Sequence, residues 1–108
     1  MFVVKQGDLF PPIDAIVRDE DDVVVDVTDA TVTFSMRKSR DPATVAISAG
    51  DGEVVDGPGG RIRYTFEEGD TDETGTYEAE FEVAPLGGDP MKVPTTGYIT
   101  IVVEEAVQ

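Results

Sequence analysis

The 108-residue chain has no cysteine, no histidine and no tryptophan, and its only lysines are Lys5, Lys38 and Lys92. Without cysteine there is neither a disulfide framework nor a thiolate, a composition that suits assembly inside a cell. Without histidine, acid–base chemistry near neutral pH would fall to a strongly perturbed carboxylate or lysine. Zinc and redox metals lose their imidazole and thiolate ligands together. Apolar runs stop after three or four residues, so nothing is long enough to span a bilayer. Met1-Phe2-Val3-Val4-Lys5 leads into polar residues and prolines, not into the apolar region of a signal peptide.

What the chain has in excess is negative charge. Asp and Glu number 23 against 8 Lys and Arg, for a net charge of −15. Binding to nucleic acid requires cations that displace counterions from phosphates. Here they are scattered: Arg61 and Arg63 alternate along one segment, and Arg37, Lys38 and Arg40 gather at the end of another. That is too little for a basic groove, and the same sign argues against an anionic membrane surface. The acidity has two readings. One is ordinary solubility with charged strand edges; the other is a halophilic host, toward which the excess of Asp over Glu and the scarcity of Lys lean.

The length fits one domain with one core, and 40% hydrophobic content is enough to form it. Every segment reads as strand or turn. The clearest is Glu73-Thr74-Gly75-Thr76-Tyr77-Glu78-Ala79-Glu80-Phe81-Glu82-Val83. Tyr77, Ala79, Phe81 and Val83 fall on one face and the three glutamates on the other, the period of a half-buried strand. The acidic-x-Gly-x-Tyr spacing around Gly75 and Tyr77 matches the corner of immunoglobulin-like sandwiches, where a tyrosine hydroxyl bonds back to the backbone. Further strands are expected at 2–5, 13–18, 23–27, 31–38, 44–48, 53–56, 61–66 and 97–103. Val32, Phe34 and Met36 should face inward, as should Ile62, Tyr64 and Phe66. Asp19-Glu20-Asp21-Asp22 has hairpin length, and Gly50-Asp51-Gly52 and Gly57-Pro58-Gly59-Gly60 are turn signals. The pattern predicts an all-β fold, an immunoglobulin-like antiparallel β-sandwich of seven or eight strands, with a small barrel as the alternative closure.

Chemistry-bearing motifs are few. With 23 carboxylates, close pairs are inevitable, but they lie on solvent faces and loops, without the water-excluded pocket an enzyme needs. No enzymatic activity and no cofactor are expected. Asp19, Asp21 and Asp22 in one loop and Asp70 and Asp72 in another supply the oxygens that Ca²⁺ favours. Neither loop has EF-hand spacing, so solvated acidic turns are the simpler reading. The glycines at 57, 59 and 60 precede a strand, not a helix N-terminus, and carry no lysine, so they make a hairpin loop and not a phosphate cradle. Tyr64, Tyr77 and Tyr98 read as core residues with polar tips. Phe2, Leu9, Phe10 and Pro11 are harder to place inward. Residues 1–11 read as an apolar N-terminal arm that packs either on this domain or on a neighbouring subunit.

Several of these segments together resemble the N-terminal domain family of the phage baseplate upper protein. The resemblance rests on Val4-Lys5-Gln6-Gly7-Asp8, on Pro11-Pro12-Ile13 and on Val27-Thr28-Asp29-Ala30-Thr31-Val32-Thr33-Phe34-Ser35-Met36-Arg37. It continues in Gly69-Asp70-Thr71-Asp72 and in Gly75-Thr76-Tyr77-Glu78-Ala79-Glu80-Phe81. It implies a virion structural protein of a tailed virus, made in the host cytoplasm, that attaches to other virion proteins in a homo-oligomer or ring. In that family the domain anchors a longer chain, whereas this sequence stops at Gln108. Tail or baseplate, neck and capsid decoration are therefore all open as its place. The alternative is a cell-surface adhesion or carbohydrate-binding module, which would call for a secretion signal and clustered aromatics. The halophilic reading has its own check. Thermal melting should be higher in about 1 M KCl, where the Debye length is roughly 3 Å, than in about 50 mM KCl; melting that ignores salt would refute it.

Overall fold

The computed structural model describes residues 1–39, 41–94 and 97–107. Nine strands run through them: β1 (Phe2–Lys5), β2 (Ile13–Ile16), β3 (Thr31–Lys38), β4 (Asp41–Asp51), β5 (Glu53–Asp56), β6 (Arg61–Tyr64), β7 (Gly75–Ala84), β8 (Met91–Val93) and β9 (Ile99–Glu104). They form two sheets. The larger has the order β1-β9-β7-β3-β4, with β8 also pairing β7; the smaller has the order β2-β6-β5. The all-β sandwich expected from the alternation is the fold.

Alternation determines the core. Along β7, Tyr77, Ala79, Phe81 and Val83 are all buried, while Glu78, Glu80 and Glu82 lie on the opposite face. There they meet cations from the neighbouring strands: Glu78 pairs with Arg37, and Glu80 and Glu82 with Lys92. Val32, Phe34 and Met36 from β3 and Ile62, Tyr64 and Phe66 from the smaller sheet's side complete the interior, all buried as their spacing predicts. Phe34 stacks on Tyr64 with ring centroids 4.5 Å apart and meets Phe81 edge-on at 4.9 Å. Tyr64 in turn meets Phe66 edge-on at 5.9 Å. One stack thus joins both sheets, and aromatic pairs add about 0.5–1.5 kcal/mol beyond their burial.

Four features differ from the sequence reading. The sandwich is not wholly antiparallel, because β1 runs parallel to β9, with Phe2 opposite Ile101 and Lys5 opposite Glu104. The start of the stretch read as an arm is therefore a strand of the larger sheet, and Phe2 packs partly buried against the core.

The segment 23–27 is not a strand; only Arg18 and Val24 make an isolated bridge. Its amides are divided among different partners: Val23 donates to the Asp19 carboxylate, Val25 to the Val17 carbonyl and Val27 to the Gly57 carbonyl, so no continuous ladder forms.

Gly50 and Asp51, read as part of a turn, are the last residues of β4, and the chain crosses at Gly52 from β4 in the larger sheet to β5 in the smaller. Both glycines allow close approach, since a Cβ at Gly50 would lie 2.9 Å from the Tyr64 ring and one at Gly52 2.7 Å from Val32. Finally, Met91–Val93 forms a strand that its Pro-bounded sequence concealed. Arg40, expected to join a basic cluster, lies outside the described residues.

The corner bond expected at Tyr77 is present: its hydroxyl donates to the Glu73 carbonyl at 2.6 Å. Burial pushes the phenol's pKa up, so the donor stays protonated across the working range of the protein. Tyr77→Phe should cost about 1–2 kcal/mol, the worth of one well-made buried hydrogen bond. That corresponds to a fall in melting temperature of roughly 5–10 °C, measurable by circular dichroism.

Candidate docking surface

The connection between β6 and β7 is fastened to both sheets. From the smaller sheet, the Tyr64 hydroxyl donates to Asp70 Oδ2 at 2.5 Å, and the same oxygen accepts the Glu67 amide at 2.8 Å. The Asp70 amide closes the turn onto the Glu67 carbonyl at 3.0 Å. From the larger sheet comes the Tyr77 bond to Glu73, reinforced by an ion pair between Lys38 and Glu73. Burial, with Asp70 accepting its proton, pushes the Tyr64 pKa well above that of a free phenol. Both tyrosines act as hydrogen-bond donors from the core to the corner.

This corner holds the segment after β1. Gln6 Nε2 donates to the Asp72 carbonyl at 2.7 Å, the Gly7 amide to the Thr71 carbonyl at 3.0 Å, and Thr71 Oγ1 to the Asp8 carbonyl at 2.9 Å. Gly7 has φ = +85°, a left-handed conformation that glycine tolerates without strain, and the chain reverses there. Beyond this pinned turn, Leu9 is 42% and Phe10 78% exposed, with Pro11 exposed beside them. Of the residues expected to contact a partner, Leu9, Phe10 and Pro11 thus form a contiguous apolar tip, and Phe2 lies apart from it in β1.

The acidic residues considered for Ca²⁺ are not brought together. Asp19 caps its own loop, Asp22 takes a left-handed φ of 64° and pairs loosely with Arg18, and Asp21 is exposed. Asp70 serves the corner, while Asp72 contributes its carbonyl to Gln6. Among the described residues no three His, Cys, Asp or Glu side chains are grouped as a metal site would require.

A concavity of about 280 Å³ lies over the outer face of the larger sheet beside Ser35, Arg37, Val45, Ser48, Glu78 and Tyr98. Tyr98 is 47% exposed and so is not a core residue, contrary to its sequence reading. The Arg37 guanidinium lies 5.1 Å from the Tyr98 ring centre and donates to its hydroxyl at 3.0 Å. That pairing holds the ring at the surface and could not be read from the strand period, because Tyr98 precedes the first residue of β9.

Sequence reasoning also missed Thr71, the one buried polar residue among those described. It sits in the quoted Gly69-Asp70-Thr71-Asp72 segment, but nothing local distinguishes it from a solvated turn residue.

The paired sheets and the tyrosine-anchored corner define the class, an all-β sandwich domain. The comparison with known families gives the particular one. The model of the BppU N-terminal domain matches residues 12–107, and the chain belongs to that family, whose domain is a structural component of phage baseplates. The match begins at Pro12, after β1 and the apolar tip. Neither the curated proteins nor the solved structures yield a match.

The best-formed ion pair on the smaller sheet joins Arg63 to Asp14, bidentate at 2.6 and 3.1 Å. The hydrogen bond from Arg63, and then its charge, hold the Asp14 carboxyl below the usual range against some desolvation. A depressed folded-state pKa stabilises the fold above the unfolded value and loses that contribution as pH falls through the folded one. Both side chains are about a third or more exposed, so the pair is worth roughly 0.5 kcal/mol. Asp14→Asn should lower stability by about that amount near pH 7, with the difference shrinking in urea unfolding as pH falls below the usual carboxylate range and through the depressed pKa of Asp14.

Proposed function

We infer that the chain is a non-enzymatic structural part of a tailed-virus particle and docks on neighbouring baseplate or tail subunits. The observation that carries this reading, beside the family, is the exposed Leu9-Phe10-Pro11 tip on a turn tied down by three hydrogen bonds. A monomer gains nothing by ordering an exposed phenyl group; a docking surface does, because ordering in advance lowers the cost of association.

The reading places the protein in the virion after synthesis in the host cytoplasm, within a symmetric homo-oligomer or ring as tail assemblies commonly use. Its acidity disfavours nucleic acid and anionic membranes as partners. The carbohydrate-binding alternative has one feature in its favour, the surface Tyr98 beside the outer concavity. Arg37 lies over one face of that ring and bonds its hydroxyl. The chain has no tryptophan, and among the described residues no cluster of aromatics lies beside Tyr98 in the lining, so the virion reading is preferred.

Quantitative mass spectrometry of purified particles tests it. The chain should be present at a fixed ratio to the major capsid protein. Copies numbering tens or fewer would indicate baseplate, tail or neck, and copies on the order of hundreds capsid decoration. Absence from particles would refute the virion role and leave the adhesion or carbohydrate-binding reading in front.

A further inference from the structure

We propose that the Glu67–Glu73 corner is a latch that presents the Leu9-Phe10-Pro11 tip to an apolar pocket with a basic rim on the partner, with Thr71 as its positioning residue; this rests on the docking role above. The latch is a continuous chain of contacts. Tyr64 and Tyr77 reach the corner from opposite sheets and fix Asp70 and Glu73. Between those two anchors, Thr71 is fully buried and bonds the turn through both its hydroxyl and its carbonyl. Gln6 adds a third bond through Asp72. The tip therefore inherits its position from the aromatic core, although it makes no strand of its own.

The chemistry of the partner follows from what surrounds the tip. Asp8 immediately precedes Leu9, and Asp70 and Asp72 flank the threonine that bonds to Asp8. Phe10 thus follows the exposed Asp8, and the corner that holds its turn carries the exposed Asp72, on a chain of net charge −15. An acidic partner would be repelled, whereas a pocket that buries the phenyl group and carries Lys or Arg around its mouth matches both features.

Four variants of the full chain, each examined free and in purified particles, separate the parts. Thr71→Val removes the hydroxyl, and Gln6→Ala removes a surface bond with no buried cost should the first variant fold poorly. Each should speed hydrogen exchange at the Gly7 amide by about five- to tenfold, the loss of one hydrogen bond, and should lower occupancy in particles. Phe10→Ser should lower occupancy with Gly7 exchange unchanged, and Asp8→Lys should lower it by reversing charge at the rim. Unchanged Gly7 exchange in both latch variants overturns the latch, as does faster exchange with full occupancy. Full occupancy of Asp8→Lys overturns the basic rim. Full occupancy of Phe10→Ser removes the docking role of the tip itself, a failure distinct from that of the latch.

Discussion

Phe34 and Tyr64 lie face to face across the sandwich, and the remaining architecture is organised around that stack. Phe34 belongs to the larger sheet and Tyr64 to the smaller. Their contact fixes the sheet separation, and Phe81 and Phe66 pack against its two ends. Close packing leaves room for nothing more than a hydrogen at Gly50, where the chain passes the Tyr64 ring on its way between sheets. Loss of the Phe34 ring would cost about 3–5 kcal/mol, a large part of the margin typical of a domain this size. The stack also has a polar end: the Tyr64 hydroxyl leaves the core and bonds to Asp70. A single side chain thus connects apolar packing to the loop on which the surface features depend.

Most of the fold was legible in the sequence because its strands are half-buried, and half-burial imprints a period of two. Residues 31–38 and 75–84 show it cleanly, and every apolar residue expected inward there is inward. The tyrosine corner was legible for another reason, since its geometry needs a fixed spacing between an acidic residue, a glycine and the tyrosine. Where local pattern failed, a specific partner decided the outcome, sometimes near in sequence and sometimes far. Val23 to Val27 has strand composition, but its amides go to three separate partners, the Asp19 carboxylate and the carbonyls of Val17 and Gly57. Tyr98 has core composition, but Arg37 holds it outside. The parallel pairing of β1 with β9 joins the two ends of the chain, beyond the reach of any local period.

The candidate surface was legible only in part. Leu9, Phe10 and Pro11 stood out because apolar residues beside prolines had no strand to join. Their support could not be read, because Gln6 and Asp72 are 66 positions apart and Thr71 and Asp8 63. The acidic loops show the converse: close in sequence, their carboxylates are used individually as caps and turn acceptors. Proximity along the chain gave them the composition of a cation site without its convergence.

The parallel ladder of β1 and β9 also has a mechanical consequence. Both strands run toward the same end, where Lys5 leads to the tip and Glu104 to residues 105–107. A pull between the tip and those last residues would load the ladder at that one end. It would peel rung by rung, starting at the bond from the Gln6 amide to the Glu104 carbonyl. A pull between Met1 and residues 105–107 would act at opposite ends and shear all the rungs together. The same few hydrogen bonds therefore yield readily to force along one line and resist it along another, so the direction from which a neighbour pulls decides whether this strand holds.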